Sequence, residues 1–273
     1  MSTLDEPVAI EVAPDQRIGG TFIAPRTLMP GVLFVHGWGG SQEQYIARAR
    51  AVAALGCVCL TFNLRGHADT RPLYETASRS TNLRDVEAAY DRLVARRYVD
   101  PDAIGVIGSS YGGYLATILS TMRPVRWLGL RAPALYMDSG WELPKMQLRR
   151  DQDLVSYRRN IVPPDSNRAL QACRAFTGDM LLIESEFDDV IPASVLASYR
   201  QAATQTRSLT YRQIKGADHG LSTEDGQRAY TSVLVSWLKE MVAHARAGQQ
   251  PHTAVPDLQA TPETAPESIR QDG

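Results

Sequence analysis

Three residues far apart in this chain have the types needed for acyl transfer. The first is Ser110, in the run Gly108-Ser109-Ser110-Tyr111-Gly112-Gly113. Glycine stands two places before it and two places after it, the G-x-S-x-G spacing. A serine at a tight strand-to-helix turn is held in strained backbone geometry, with its hydroxyl projecting from the turn. The strand and helix on either side approach so closely that glycine suits both flanking positions. Ser109 has Ile107 and Tyr111 at the same offsets, so register selects Ser110. The next amide, that of Tyr111, opens the helix and points toward an oxyanion formed on a substrate.

A serine hydroxyl needs a base to become a nucleophile. Of the five histidines, His219 lies in "GADHG", after an apolar strand-like run and before a helical one. The base in turn needs an acid to fix its tautomer and stabilise the imidazolium. Asp188 follows "MLLIES" in "FDDVIP", with Glu184, Glu186 and Asp189 as neighbouring rivals. Asp218 is adjacent to His219, and side chains of adjacent residues diverge.

These groups must be positioned by something. "GVLFVHG", "CVCLTFNL", "AIGVIG", "WLGLRA", "MLLIES" and "SLTYRQI" read as strands, most of them apolar enough to be buried on both faces. Helical patterns separate most of them. One is "TNLRDVEAAYDRLVARRY", with Leu83, Val86, Tyr90, Leu93 and Val94 on one face. Such alternation predicts a mostly parallel sheet with helices on both faces, α/β in class. "PVAIEV" and "GGTFIAP" form an expected hairpin-like edge. In such a sheet, loops after strands gather at the carboxyl edge, where Ser110, Asp188 and His219 can meet.

Two segments break the alternation. Residues 134–170 are charged and aromatic and too long for a tight connection, so a small helical cap is expected there. Residues 248–273 are rich in Pro, Thr, Gln and Glu, which predicts a disordered C-terminal tail after a domain spanning 1–247.

The formal net charge of −1 gives no electrostatic case for a nucleic-acid partner. No window reaches the length of a membrane span. Three cysteines form no disulfide framework, and the acidic N-terminus has no signal-peptide pattern. A cytoplasmic location is the expectation. No H-E-x-x-H, Walker A, C-x-x-C or G-x-G-x-x-G motif is present, so no metal or organic cofactor is expected.

From about residue 29 to 245 the chain resembles the α/β-hydrolase fold superfamily. The resemblance is carried in family order by "HGWGG" (36–40), "NLRGH" (63–67), "GSSYGG" (108–113), "FDDVIP" (187–192) and "GADHG" (216–220). The G-x-S-Y-G-G form is similar to dienelactone-hydrolase-like esterases and to the catalytic domains of prolyl-oligopeptidase-type peptidases. Dienelactone hydrolases proper use Cys where this chain has Ser110, and the chain has no room for the propeller of the peptidases. Asn63 stands where the family often has Asp, and Glu184-Ser185 where relatives often read His-Gly.

The resemblance implies an α/β-hydrolase fold with about eight strands. It makes Asp188 the acid, because in the family's D-x-x-V-P segment the first Asp has that role. It also makes the backbone N–H of Trp38 the second oxyanion contact beside Tyr111. His36, Arg65 and His67 become structural residues of their turns. The implied enzyme is a serine hydrolase for a small-molecule ester, with amide, peptide or thioester hydrolysis as alternatives and a non-catalytic binding role as the remote one. Tyr136, Met137, Trp141 and Met146 of the cap are the expected acyl-pocket side chains. The cap arginines Arg149, Arg150, Arg158 and Arg159 are a solvated face or an anion contact.

Overall fold

The computed structural model describes residues 4–24 and 29–248; of the expected tail, 248–273, all but Gly248 lies outside the described residues. Eight strands form one sheet: β1 (Leu4–Ala13), β2 (Gln16–Ala24), β3 (Met29–Val35), β4 (Val58–Phe62), β5 (Val99–Ser109), β6 (Trp127–Arg131), β7 (Asp179–Phe187) and β8 (Ser208–Asp218). Their spatial order is β1-β2-β4-β3-β5-β6-β7-β8. β1 pairs antiparallel with β2, and β2 antiparallel with β4. The pairings from β4 through β8 are parallel. This is the open, mostly parallel sheet of the α/β-hydrolase fold.

β3, β4 and β6 are buried along nearly their whole length, as expected of strands covered on both faces. One core layer holds α2 (Arg79–Val94), α3 (Tyr111–Leu119), α6 (Arg168–Ala175) and α7 (Ala193–Ala202) against the sheet. The opposite layer holds α1 (Glu43–Ala53) and α8 (Glu224–Gly248), built on Tyr45, Ala49, Val52, Tyr230, Leu234 and Trp237. The apolar stripe of α2 buries Leu83, Val86, Ala89, Tyr90 and Leu93. Its start is fixed by a capping box in which Ser78 and Thr81 satisfy each other's backbone N–H groups.

The chain runs from β3 to β4 on one side and then crosses back to β5 on the other. The carboxyl ends of β3 and β5 are level, with Val35 opposite Gly108. Loops leaving them therefore diverge from one point, which is where an open α/β sheet makes its crevice. Between β6 and α6 lie two short helices, α4 (Leu148–Asp151) and α5 (Leu154–Arg159), and a 3₁₀ turn at Pro164–Ser166. No described helix is long and apolar enough to cross a membrane.

Candidate active site

Ser110 sits between β5 and α3 with φ 52° and ψ −117°. A non-glycine residue holds such a conformation only when its surroundings over-determine it. Here the Ser110 N–H donates to the Arg131 carbonyl at 2.9 Å, and its own carbonyl accepts from Tyr114 N at 3.1 Å and Ala134 N at 3.0 Å. The flanking glycines have steric causes. A Cβ on Gly112 would lie 2.2 Å from the Val35 carbonyl oxygen, and one on Gly108 would lie 2.5 Å from that of Gly112. Neither backbone position has room for any side chain.

The Nε2 of His219 lies 3.0 Å from Ser110 Oγ. Its Nδ1 lies 2.7 Å from Asp188 Oδ2. The other oxygen of Asp188 accepts the N–H groups of Val190 at 2.9 Å and Ile191 at 2.7 Å. The rival acids are engaged elsewhere or turned away. Glu186 accepts from Gly216 N and Asp218 from Ser222 N, the Tyr211 hydroxyl donates to Glu184, and Asp189 is exposed. Each member of the Ser110–His219–Asp188 run follows its own strand.

The backbone N–H groups of Trp38 and Tyr111 donate to no acceptor among the described residues. The loop that carries Trp38 is braced by two neutral histidines. The Leu64 N–H donates to His36 Nε2 at 3.0 Å, which leaves Nδ1 as the donor to the Gly37 carbonyl at 2.7 Å. Burial pushes the His36 pKa down to about 3. His67 Nε2 accepts from Gly39 N at 2.9 Å, and burial lowers its pKa as well. The Trp38 indole packs on the rings of His67, Tyr74 and Tyr111.

Beneath this loop lies a polar network that sequence reasoning missed. Arg65 Nε donates to Asp85 Oδ1 at 2.5 Å, in an ion pair whose side chains are 9% and 0% exposed. Asn82 donates to Asp85 and to the Arg65 carbonyl, and its own amide oxygen accepts from the Tyr111 hydroxyl at 3.1 Å. A signal was present: Asn82 and Asp85 are polar residues on the apolar stripe of α2. Asn63, where relatives often have Asp, still accepts the Gln42 N–H at 2.9 Å, so its turn keeps an anchor that either residue supplies.

Ser110 and His219 line a cavity of about 270 Å³ together with Trp38, Gly39, Gln44, Tyr45, Arg48, Arg131, Gln227 and Tyr230. The expected acyl-pocket residues are not among its walls. Tyr136 is 4% exposed and packs on Tyr111 and Tyr114. Burial alone would raise its phenol, but the charges and hydrogen bonds of Lys145 and Arg158 outweigh that and lower it. Trp141 lies under Arg168 and Arg79. The Met137 carbonyl accepts from Arg79 at 2.6 Å, and Met146 is half-buried outside the cavity. Tyr136 packs against aromatic side chains of α3, and Trp141 against arginine side chains of α2 and α6.

Of the cap arginines, Arg150, Arg158 and Arg159 line a separate groove of about 680 Å³ with Asp188 and Asp189. The side chain of Arg149 lies outside the described residues. The three cysteines, Cys57, Cys59 and Cys173, are buried. Among the described residues no group of three His, Cys, Asp or Glu side chains could hold a metal ion.

Comparison with known proteins agrees with this architecture. The model of the prolyl oligopeptidase family matches residues 43–245. No curated protein matches the chain in sequence. Among solved structures, Est1E from Butyrivibrio proteoclasticus with ferulic acid bound is similar at TM-score 0.68 and 15% identity, over 86% of this chain and 99% of that one. A dienelactone hydrolase from Anabaena variabilis is similar at TM-score 0.63 and 18% identity, over 88% of this chain and 99% of its own. The acylaminoacyl peptidase of Pyrococcus horikoshii is similar at TM-score 0.66 and 16% identity, over 89% of this chain but only 42% of the peptidase.

Proposed function

Since the chain belongs to the prolyl oligopeptidase family, a family of hydrolases, we propose that it cleaves small carboxylic esters with Ser110 as nucleophile, His219 as general base and Asp188 as the acid that orients it. The observation that carries this reading is the unbroken hydrogen-bonded run from Ser110 Oγ through His219 to Asp188 Oδ2. The donation from His219 Nδ1–H to Asp188 leaves Nε2 as an acceptor aimed at the serine hydroxyl. As Ser110 Oγ attacks the carbonyl carbon, its proton moves to Nε2 and the imidazolium is stabilised by Asp188.

The carbonyl oxygen becomes an oxyanion, held by the N–H groups of Trp38 and Tyr111. Donors of this kind are fixed before the reaction begins, and each is worth about 3–4 kcal/mol of barrier lowering. The Nε2 proton then passes to the leaving oxygen, the alcohol departs, and an acyl-serine remains. A water loses its proton to Nε2 and attacks the acyl carbon; that proton then passes to Ser110 Oγ as the carbon–Oγ bond breaks, which frees the acid and restores the serine hydroxyl and the neutral imidazole. The neutral histidines beneath the Trp38 loop keep that amide in place and take no proton themselves.

A second reading is amide or peptide hydrolysis, favoured by the family match and open to the same residues; a thioester would use them too. The small cavity beside Ser110 favours small esters. Matched 4-nitrophenyl esters and 4-nitroanilides of graded acyl length decide between these readings. Faster turnover of the esters, with a preference for short chains, supports the first. Comparable or faster turnover of the anilides replaces it with the second.

A further inference from the structure

Two arginines face the cavity that holds Ser110, and neither has a carboxylate partner. Arg48, on α1, is 9% exposed, and Arg131, at the end of β6, is 7% exposed. Among the described residues no Asp or Glu lines this cavity, and neither arginine forms an ion pair. The buried Arg65 has Asp85 beside it.

The partners that these two guanidiniums do have are neutral. Arg131 donates from Nε to Ser109 Oγ at 3.3 Å, from Nη1 to Ser185 Oγ at 3.2 Å and from Nη2 to the His219 carbonyl at 2.8 Å. Arg48 donates from Nη1 to the Gln44 carbonyl. Its Nε is buried without a partner, and its Nη2 has none among the described residues. Both guanidiniums lie against the Tyr230 ring, at 4.9 Å for Arg48 and 5.8 Å for Arg131. A ring face and neutral oxygens offset only part of the cost of taking two such charges out of water. The cavity therefore keeps positive charge beside the nucleophile, with donors unspent on the α1 side.

We infer that this cavity is an anion subsite and that the ester cleaved at Ser110 carries a carboxylate on the side facing α1. The inference rests on the serine-hydrolase reading and specifies its substrate class. A carboxylate supplies two acceptor oxygens in the plane of a guanidinium fork, which a hydroxyl or carbonyl cannot match. The cavity volume of about 270 Å³ is at the lower end for a ligand site, which suits a short chain between the ester and the carboxylate. Because Arg131 also holds the His219 carbonyl, Arg48 is the arginine that can be changed with less disturbance of the base.

The test compares 4-nitrophenyl hemi-esters of succinic, glutaric and adipic acids with 4-nitrophenyl butanoate, pentanoate and hexanoate, corrected for spontaneous hydrolysis. In the wild type, at least one hemi-ester exceeds its neutral counterpart about tenfold or more in kcat/KM, mainly through a lower KM. In Arg48→Met that ratio falls at least tenfold, and Arg48→Lys recovers part of it. Arg228→Gln removes an exposed arginine of α8 outside the cavity and leaves the ratio as in the wild type. Should every neutral ester match or exceed its hemi-ester in the wild type, the subsite is overturned while the hydrolase reading stands. Retention of the wild-type ratio in folded Arg48→Met overturns it equally. Turnover of neither series removes the hydrolase reading and the subsite with it. The wild-type comparison decides the matter even where the Arg48 variants do not fold.

Discussion

Asp188 meets His219 with one carboxylate oxygen, 2.7 Å from Nδ1, and spends the other on two backbone N–H groups of its own loop. The carboxylate is thereby fixed in position while one oxygen faces the imidazole. Asp188→Asn places an amide where the acceptor was and disfavours the tautomer that leaves Nε2 free. The expected result is a kcat lower by about 10³–10⁴-fold with the fold unchanged. Asp189→Asn, by contrast, alters an exposed side chain and is expected to change kcat by less than about threefold. Steady-state kinetics on a 4-nitrophenyl ester, with circular dichroism as the folding check, read both.

The glycine two places after Ser110 is a steric necessity. A Cβ on Gly112 would lie 2.2 Å from the Val35 carbonyl oxygen, so Gly112→Ala must push β3 and α3 apart. The expected cost is about 3 kcal/mol or more, which corresponds to a drop of roughly 6–12 °C in Tm for a domain of this size. Gly39 has a positive φ of 82° but nothing within 4 Å of an added Cβ. Gly39→Ala is expected to cost only about 1 kcal/mol. Thermal melts of the two variants beside the wild type check the ordering.

His36 gives the fold a pH dependence with a defined sign. The unfolded chain takes up a proton at this residue near pH 6.5, whereas the folded protein does so only near pH 3. Between those values the unfolded state binds more protons, so stability rises with pH across the window and is lost as pH falls through it. His67, also lowered, adds in the same direction at the top of the window. The slope from His36 is on the order of 1.4 kcal/mol per pH unit. Denaturant titrations between pH 4.5 and 7.5 measure it. A flat profile between pH 5 and 6.5 would contradict the neutral, doubly bonded His36.

The ion pair under the Trp38 loop is expected to matter more for stability than for chemistry. Asp85→Ala leaves the Arg65 guanidinium buried without its counter-charge, and removing one partner of such a pair costs about 3–5 kcal/mol. Asn82, which accepts from the Tyr111 hydroxyl, loses one of its own acceptors as well. Urea midpoints read the loss. Activity of the remaining folded fraction is expected to fall far less than in Asp188→Asn.

What the sequence made legible was what depends on local pattern. The G-x-S-x-G spacing follows from two backbone contacts that exclude a Cβ, so Gly108 and Gly112 were readable as a pair around Ser110. The alternation of apolar runs and helical stripes specified the parallel sheet, and it put Ser110, Asp188 and His219 each after a strand. Non-local relationships were not legible. Nothing in "QYIARARAVAALG" marks Arg48 as the arginine that turns inward to Tyr230, because that depends on α1 and α8 sharing one face of the sheet. Tyr136 and Trp141 read as pocket residues by type, yet their rings are taken up by Tyr111, Tyr114, Arg79 and Arg168. Asp85 was visible as a polar residue on the apolar stripe of α2, but its pairing was not, because Arg65 lies in another turn of the chain.

The central claim, that Ser110 is a nucleophile activated by His219, is tested most directly by covalent capture. Wild-type protein treated with an alkyl fluorophosphonate is analysed by intact mass and peptide mapping beside Ser110→Ala. The account predicts one adduct per chain, on the peptide that carries Ser110, and none in Ser110→Ala. An adduct at another residue, or equal labelling of the two proteins, would contradict it.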